Sequence, residues 1–185
     1  MKKFLSLALL SLSTVATLEA PVQATQDATR HSEAAMTRIY QRSGLDRAHW
    51  ELMVAITKQG VTITDQGEAC GEFDGFYRFD GHLVICSHVT GKADTEHMIR
   101  HEAAHMIQDM KDGGIGDHKL SPFYNTRSSE FWGYYKGNPQ VNHPYVETYA
   151  KGGSRENAEV YHLEADAEVQ QTEGAQALTR RIYSF

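Results

Sequence analysis

One stretch constrains the fold more than any other: Asp94 to Gly113, DTEHMIRHEAAHMIQDMKDG. With His101 at 0° and 100° per residue, Ile99, Ala103, Met106, Ile107 and Met110 fall between about 140° and 240°. That is one continuous apolar stripe at helical period. The run holds no Pro and no internal Gly over about five turns, so a helix is expected throughout. Asp94 is the expected N-cap, Glu96 suits the positive helix start, and Gly113-Gly114 is a stop signal.

His101, Glu102, Met98 and His105 fall between about 0° and 100°, beside the stripe. A helix that buries its stripe therefore carries His101-Glu102-Ala103-Ala104-His105 along the edge of the core, facing a cleft. Histidines four apart lie on one face and can aim two imidazole nitrogens at one ion. Glu102, one step round, can hold a water on that ion and take its proton. The ion this His-Glu-x-x-His pattern suits is Zn2+. Chance alone can write five such letters in a chain with 10 His. The helical phase and the stop and start signals add weight to the chemical reading.

A catalytic zinc site takes three protein ligands and a water. The extended pattern with Gly at position 108 and His at 111 is excluded, because Gln108 and Lys111 stand there. Glu156 to Gln171, ENAEVYHLEADAEVQQ, is the second strong helix. With Glu164 at 0°, Leu163, Ala167 and Val160 fall at about 260° to 320°, the expected buried side. Glu164 borders it, Glu168 lies near 40°, and Asp166 and Glu159, near 200° and 220°, face away. A carboxylate at a core edge is costly unless a metal or a partner meets it, which makes Glu164 the best-placed third ligand. Glu168 could then hydrogen-bond a ligating histidine from behind. Glu130, His118, His143 and His162 remain rivals for the third position.

His101-Glu102-Ala103-Ala104-His105 followed by Glu164-Ala165-Asp166-Ala167-Glu168 resembles the gluzincin branch of the zincin metallopeptidases. His105-Met106-Ile107-Gln108-Asp109 is also similar to the continuation in several such families. The resemblance covers these two helices and not the whole chain. It implies zinc ligands at His101, His105 and Glu164, and a base at Glu102. Glu168 stands where many relatives have Asp.

The chain has 185 residues, 41% hydrophobic and 23% charged, which fits one soluble domain with a real core. Met1 to Ala24 reads as a signal peptide: Lys2-Lys3, an apolar run from Phe4 to Leu18, and Val22-Gln23-Ala24 before the cut. Its removal changes the formal net charge from −6 to about −7. With no basic block, neither nucleic acid nor an acidic membrane surface is an expected partner. Cys70 and Cys86, both in the exported part, are expected to form a disulfide.

Ahead of the metal motif, helices are expected over His31–Arg42 and from an Asp46 cap through Lys58. The second should bury Trp50, Val54 and neighbouring apolar residues. Val61 to Asp65 alternates like a strand. Asp74-Gly75 and Asp80-Gly81 mark turns, with a hairpin of 76–79 and 82–87 between and after them. An edge strand beside the metal could pair with an extended peptide. Residues 113–155, rich in Gly, Pro, Asn and aromatics, are expected to wall the cleft. Tyr145, Tyr149, Tyr161 or His143 could supply an oxyanion donor. A short helix over 175–183 should close the chain.

The expected architecture is α+β and zincin-like, a small sheet packed with helices, in a single domain over residues 25–185. The expected function is a secreted or periplasmic zinc-dependent metallopeptidase acting on peptide or protein, without a membrane anchor in the mature form. The alternatives are a cell-wall peptide hydrolase using the same zinc site, and a non-catalytic exported domain that binds metal or a partner.

Overall fold

The structure, a computed structural model, describes residues 20–66, 70, 74–117, 119–141, 146–147 and 155–185. Residues 1–19, most of the expected signal peptide, lie outside them. So do His118, His143, Tyr145 and Tyr149. The described residues form an α+β fold of six helices and a three-stranded mixed sheet.

Helix α1 spans Ala20–Ser43 and α2 spans Arg47–Lys58. Helix α1 starts well before the expected His31, because nothing from Gln23 to Arg42 breaks a helix and Pro21 sits in the first turn, where it is tolerated. Asp46 caps α2 as expected, its side chain accepting the His49 N–H at 3.0 Å. The side that α2 buries is Leu52, Met53, Ala55 and Ile56, while Trp50 and Val54 are only half-buried. Trp50 instead meets Tyr40 of α1 edge to face, with ring centroids 5.4 Å apart.

The sheet has the order β1 (Thr62–Gln66), β3 (His82–Cys86), β2 (Gly75–Arg78). Strand β3 runs parallel to β1 and antiparallel to β2. The pleat divides its side chains. Leu83 and Ile85 enter the main core with Ile39, Leu52, Ile63, Ile99 and Ile107. Val84 and Cys86 face the other way, into a small cluster with Cys70 and Val89. Cys70 and Cys86 are disulfide-bonded, with their Cα atoms 5.9 Å apart. Arg42 of α1 clips the sheet from outside, donating to Asp65 Oδ1 at 2.5 Å and to the Cys86 carbonyl at 3.0 Å.

The Asp80-Gly81 turn joins β2 to β3 as expected, with Gly81 at φ 78°. Asp74-Gly75 is not a turn; Gly75 opens β2. It is glycine for space, because a Cβ there would collide with Met98 Sδ and meet the Val84 carbonyl at 2.8 Å. That close approach seats β2 directly on the next helix.

Helix α3 spans Lys92–Asp112 and carries the metal motif. It begins two residues before the expected Asp94 cap; Gly91 is the N-cap and Asp94 lies in the first turn, where its charge suits the helix dipole. Its stripe is buried as the periodicity predicts, with Ile99, Ala103, Met106 and Ile107 inaccessible. Helix α4 spans Ser129–Gly137, α5 Arg155–Thr172 and α6 Ala175–Ile182. Helix α5 packs along α3, and α6 packs on α2. A second core of Phe131, Tyr135, Val141, Val146, Ala165 and Val169 lies between α4 and α5. The motif on α3 is thus met by side chains of α5 and by the backbone of the edge strand β2.

Candidate metal centre

His101 and His105 stand one turn apart on α3, and Glu164 faces them from α5. Their three donor atoms form a near-regular triangle. His101 Nε2 lies 3.2 Å from His105 Nε2 and 3.2 Å from Glu164 Oε2, and His105 Nε2 lies 3.5 Å from Glu164 Oε2. Donors held about 2.0–2.1 Å from a tetrahedral ion stand about 3.3 Å apart. The triangle has the size of one face of such a tetrahedron. The histidine and glutamate side chains are 12% and 14% exposed, so the fourth corner can still be reached.

Hydrogen bonds fix which way His105 is protonated. The Gln108 side-chain N–H groups donate to the Leu163 carbonyl and to Asp166 Oδ2, both at 2.8 Å. That leaves Gln108 Oε1 to accept from His105 Nδ1 at 2.9 Å. A neutral His105 therefore carries its hydrogen on Nδ1 and turns the Nε2 lone pair toward Glu164 and His101. Lone pairs converging on a carboxylate oxygen repel one another unless a cation lies between them.

The electrostatics say the same. Burial pulls His105 down, but the Glu164 charge and hydrogen bond outweigh it and lift the pKa to about 10. His101 is raised as well: burial opposes the charged form, and the Glu164 hydrogen bond overcomes it. Glu164 is driven far below the usual carboxylate range, because the two imidazoles overcome the cost of its burial. Without a metal, these groups hold a proton in its place.

Glu168, 3% exposed, lies behind His101, with Oε1 3.5 Å from His101 Nδ1. Its Oε2 accepts from the Gln171 amide at 2.7 Å. Glu102 is buried beside the trio, and its Oε2 accepts the Tyr77 backbone N–H at 2.7 Å. The Cys86 N–H bonds the Asp74 carbonyl, so the antiparallel pattern gives Asp74 and Phe76 to β3 and turns the backbone groups of Gly75 and Tyr77 outward. The outer edge of β2 thus faces Glu102. A cavity of about 590 Å³ opens there, lined by Asp74, Gly75, His97, His101, Glu102 and Glu168.

The structure brings His101, His105, Glu164, Glu102 and Glu168 together. It does not bring Glu130 or His162 to the trio. Glu130 is exposed in the first turn of α4 and lines a different cavity. His162 packs its ring edge-on to Trp132, and burial lowers its pKa. Tyr161 lies flat on Trp132, ring centroids 4.5 Å apart. His118 and His143 lie outside the described residues.

Asp166 is the main departure from the sequence reading. Expected to face away, it is fully buried. The segment after α3 folds over that flank of α5, and Asp166 accepts from the Phe123 and Tyr124 N–H groups, each at 2.8 Å, and from Gln108 and Gln170. Burial raises its pKa against those hydrogen bonds. Asp166 and Gln108 form a clamp on His105 that wheel geometry could not reveal; only the position of Gln108, one turn beyond His105, hinted at it. Asp166→Asn sets an amide N–H against these donors, at a cost of about 1–3 kcal/mol, and frees Gln108 to turn. The expected result is a lower urea midpoint together with metal binding weakened by about 10–100-fold in a chelator competition. An unchanged metal affinity would confine Asp166 to holding the fold.

Comparison with models of protein families, with curated proteins and with solved structures finds no match. Among the described residues no helix is long and apolar enough to cross a membrane.

Proposed function

We propose that the protein is an exported zinc-dependent peptidase. The observation that carries this reading is the triangle of two imidazole nitrogens and one carboxylate oxygen at 3.2–3.5 Å, with a buried glutamate beside it. Two nitrogens and one carboxylate oxygen, with one corner open, are the donors of a catalytic rather than a structural zinc site. When bound, zinc supplies Lewis acidity toward a carbonyl and a water acidified to near neutrality.

The chain's own groups would do the rest. His101, His105 and Glu164 hold the ion, and the Gln108–Asp166 clamp keeps the His105 lone pair aimed at it. Glu102 accepts the proton of the attacking water and returns it to the leaving amine. The Tyr77 N–H steadies the Glu102 carboxylate while that proton moves. The outward backbone groups of Gly75 offer a strand-like peptide a place to pair, laying its scissile bond across the histidines. Export is supported by the sequence of residues 1–24 and by a disulfide of the kind that persists in oxidising compartments. A hydrolase of cell-wall peptide bridges would use the same groups and differ only in the peptide it admits.

The test is metal analysis of the purified mature protein, paired with cleavage of an unstructured protein and a fluorogenic peptide library. About one tightly held zinc per chain is expected, with cleavage lost on chelation and regained on adding zinc. A metal-replete protein that cuts neither these nor cell-wall peptides would leave a non-catalytic binding domain as the better reading.

A further inference from the structure

His101 has a second nitrogen, and its surroundings set it apart from that of His105. His105 Nδ1 is engaged by Gln108. His101 Nδ1 is buried and has no hydrogen-bond partner. Glu168 Oε1 stands 3.5 Å from it, long for a direct hydrogen bond. One turn earlier on α3, the His97 ring lies parallel to that of His101, 7° apart in plane with centroids separated by 6.2 Å. One donor atom from each of His97, His101 and Glu168 lies within 4.8 Å of the others.

This trio opens onto the 590 Å³ cavity, on the side of His101 away from His105. Asp74 and Asp94 also line that cavity, with Arg100 the one lysine or arginine in its wall among the described residues. A buried carboxylate at 3% exposure among such neighbours favours a cation. A third candidate group, Asp46, His49 and Glu96, lacks this character. There Arg100 donates to His49 Nε2 at 2.8 Å and Asp46 accepts from Nδ1 at 2.7 Å, so both nitrogens are taken.

We propose that His97, His101 Nδ1 and Glu168 form a second divalent-cation site, sharing one imidazole with the first centre. It rests on the reading of His101, His105 and Glu164 as the first. His101 would then bridge two ions as an imidazolate, its Nδ1 proton passing to solvent when the second ion enters. His101 Nδ1 must give up its proton to ligate there, which the first centre does not require, so this is the weaker site. An ion there would also sit in the cavity beside Gly75, which makes excess metal an inhibitor of peptide entry.

The experiment is calorimetric titration of the metal-free mature protein with Zn2+ alone, with bound metal counted after dialysis at each stage. Wild type should take two ions, one tight and one at least about tenfold weaker. His97→Ala and His97→Gln should both keep the tight ion and lose the weak one, with unchanged circular dichroism. Glu164→Ala should lose the tight ion. A wild type that takes one ion, kept by both His97 variants, overturns the second site and leaves the first standing. A weak ion that survives in both His97 variants binds elsewhere and also overturns it. Tight binding retained by Glu164→Ala overturns the first centre, and with it the shared-imidazole arrangement.

Discussion

Glu102→Gln is expected to stop peptide hydrolysis while leaving the metal content of the protein unchanged. The substitution keeps the size of the side chain and an oxygen to accept the Tyr77 N–H, a bond of 2.7 Å in the structure. What it removes is the ability to take a proton. A positioned general base contributes about 10²–10⁴-fold, so kcat should fall by at least about 100-fold, with KM little altered. Steady-state assays on the best peptide from the library, run beside metal analysis of the same sample, give the answer. A variant with wild-type turnover would remove Glu102 from the chemistry and leave the centre as a binding site. Loss of metal along with activity would mean that Glu102 supports the ion rather than the reaction.

Glu164→Ala should be the most damaging change to the ion itself. It deletes one corner of the triangle and the negative charge that keeps two buried imidazoles company. Substitutions behind a ligand cost about 10–100-fold in metal affinity, and loss of a ligand should exceed that. Chelator competition should therefore show zinc binding weakened by more than about 100-fold, whereas Glu130→Ala leaves it unchanged. Zinc kept by the first variant and lost by the second would overturn the assignment.

The same variant should flatten a pH dependence of the metal-free protein. His105 is lifted from 6.5 to about 10 in the folded chain, chiefly against burial and by the Glu164 charge. A raised histidine contributes stability that is complete below about pH 6.5 and fades as pH climbs through about 10. Thermal unfolding of metal-free wild type should thus weaken between pH 7 and 10 more steeply than that of Glu164→Ala.

The two helices of the centre were legible because periodicity marks a face. His101, Glu102, His105 and Glu164 all lie within about 120° of a buried stripe, and the structure places His101, His105 and Glu164 at the α3–α5 contact with Glu102 beside them. The Cys70–Cys86 pairing followed from count and compartment alone. Asp166 was not legible, because the wheel assumes one buried side. Helix α5 is covered on two, and the backbone donors of Phe123 and Tyr124 that make burial tolerable come from a segment with no periodic pattern. Gly75 was misjudged for a related reason. Asp-Gly is a turn signal, but here the missing Cβ answers to Met98, more than twenty residues on. Trp50 and Val54 were assigned inward on hydrophobicity, yet Leu52, Met53, Ala55 and Ile56 of α2 fill the centre and leave them at its margin.

The disulfide joins residues 16 apart, and a metal at the triangle would join residues 63 apart. Both are clasps on the same chain, but of different reach. Chain-closure entropy separates them by about 1.2 kcal/mol. The short clasp can snap shut once a hairpin exists, whereas the long one waits until α5 has docked on α3. The ion would therefore be the last fastening made, and its capture would report that the whole molecule has assembled.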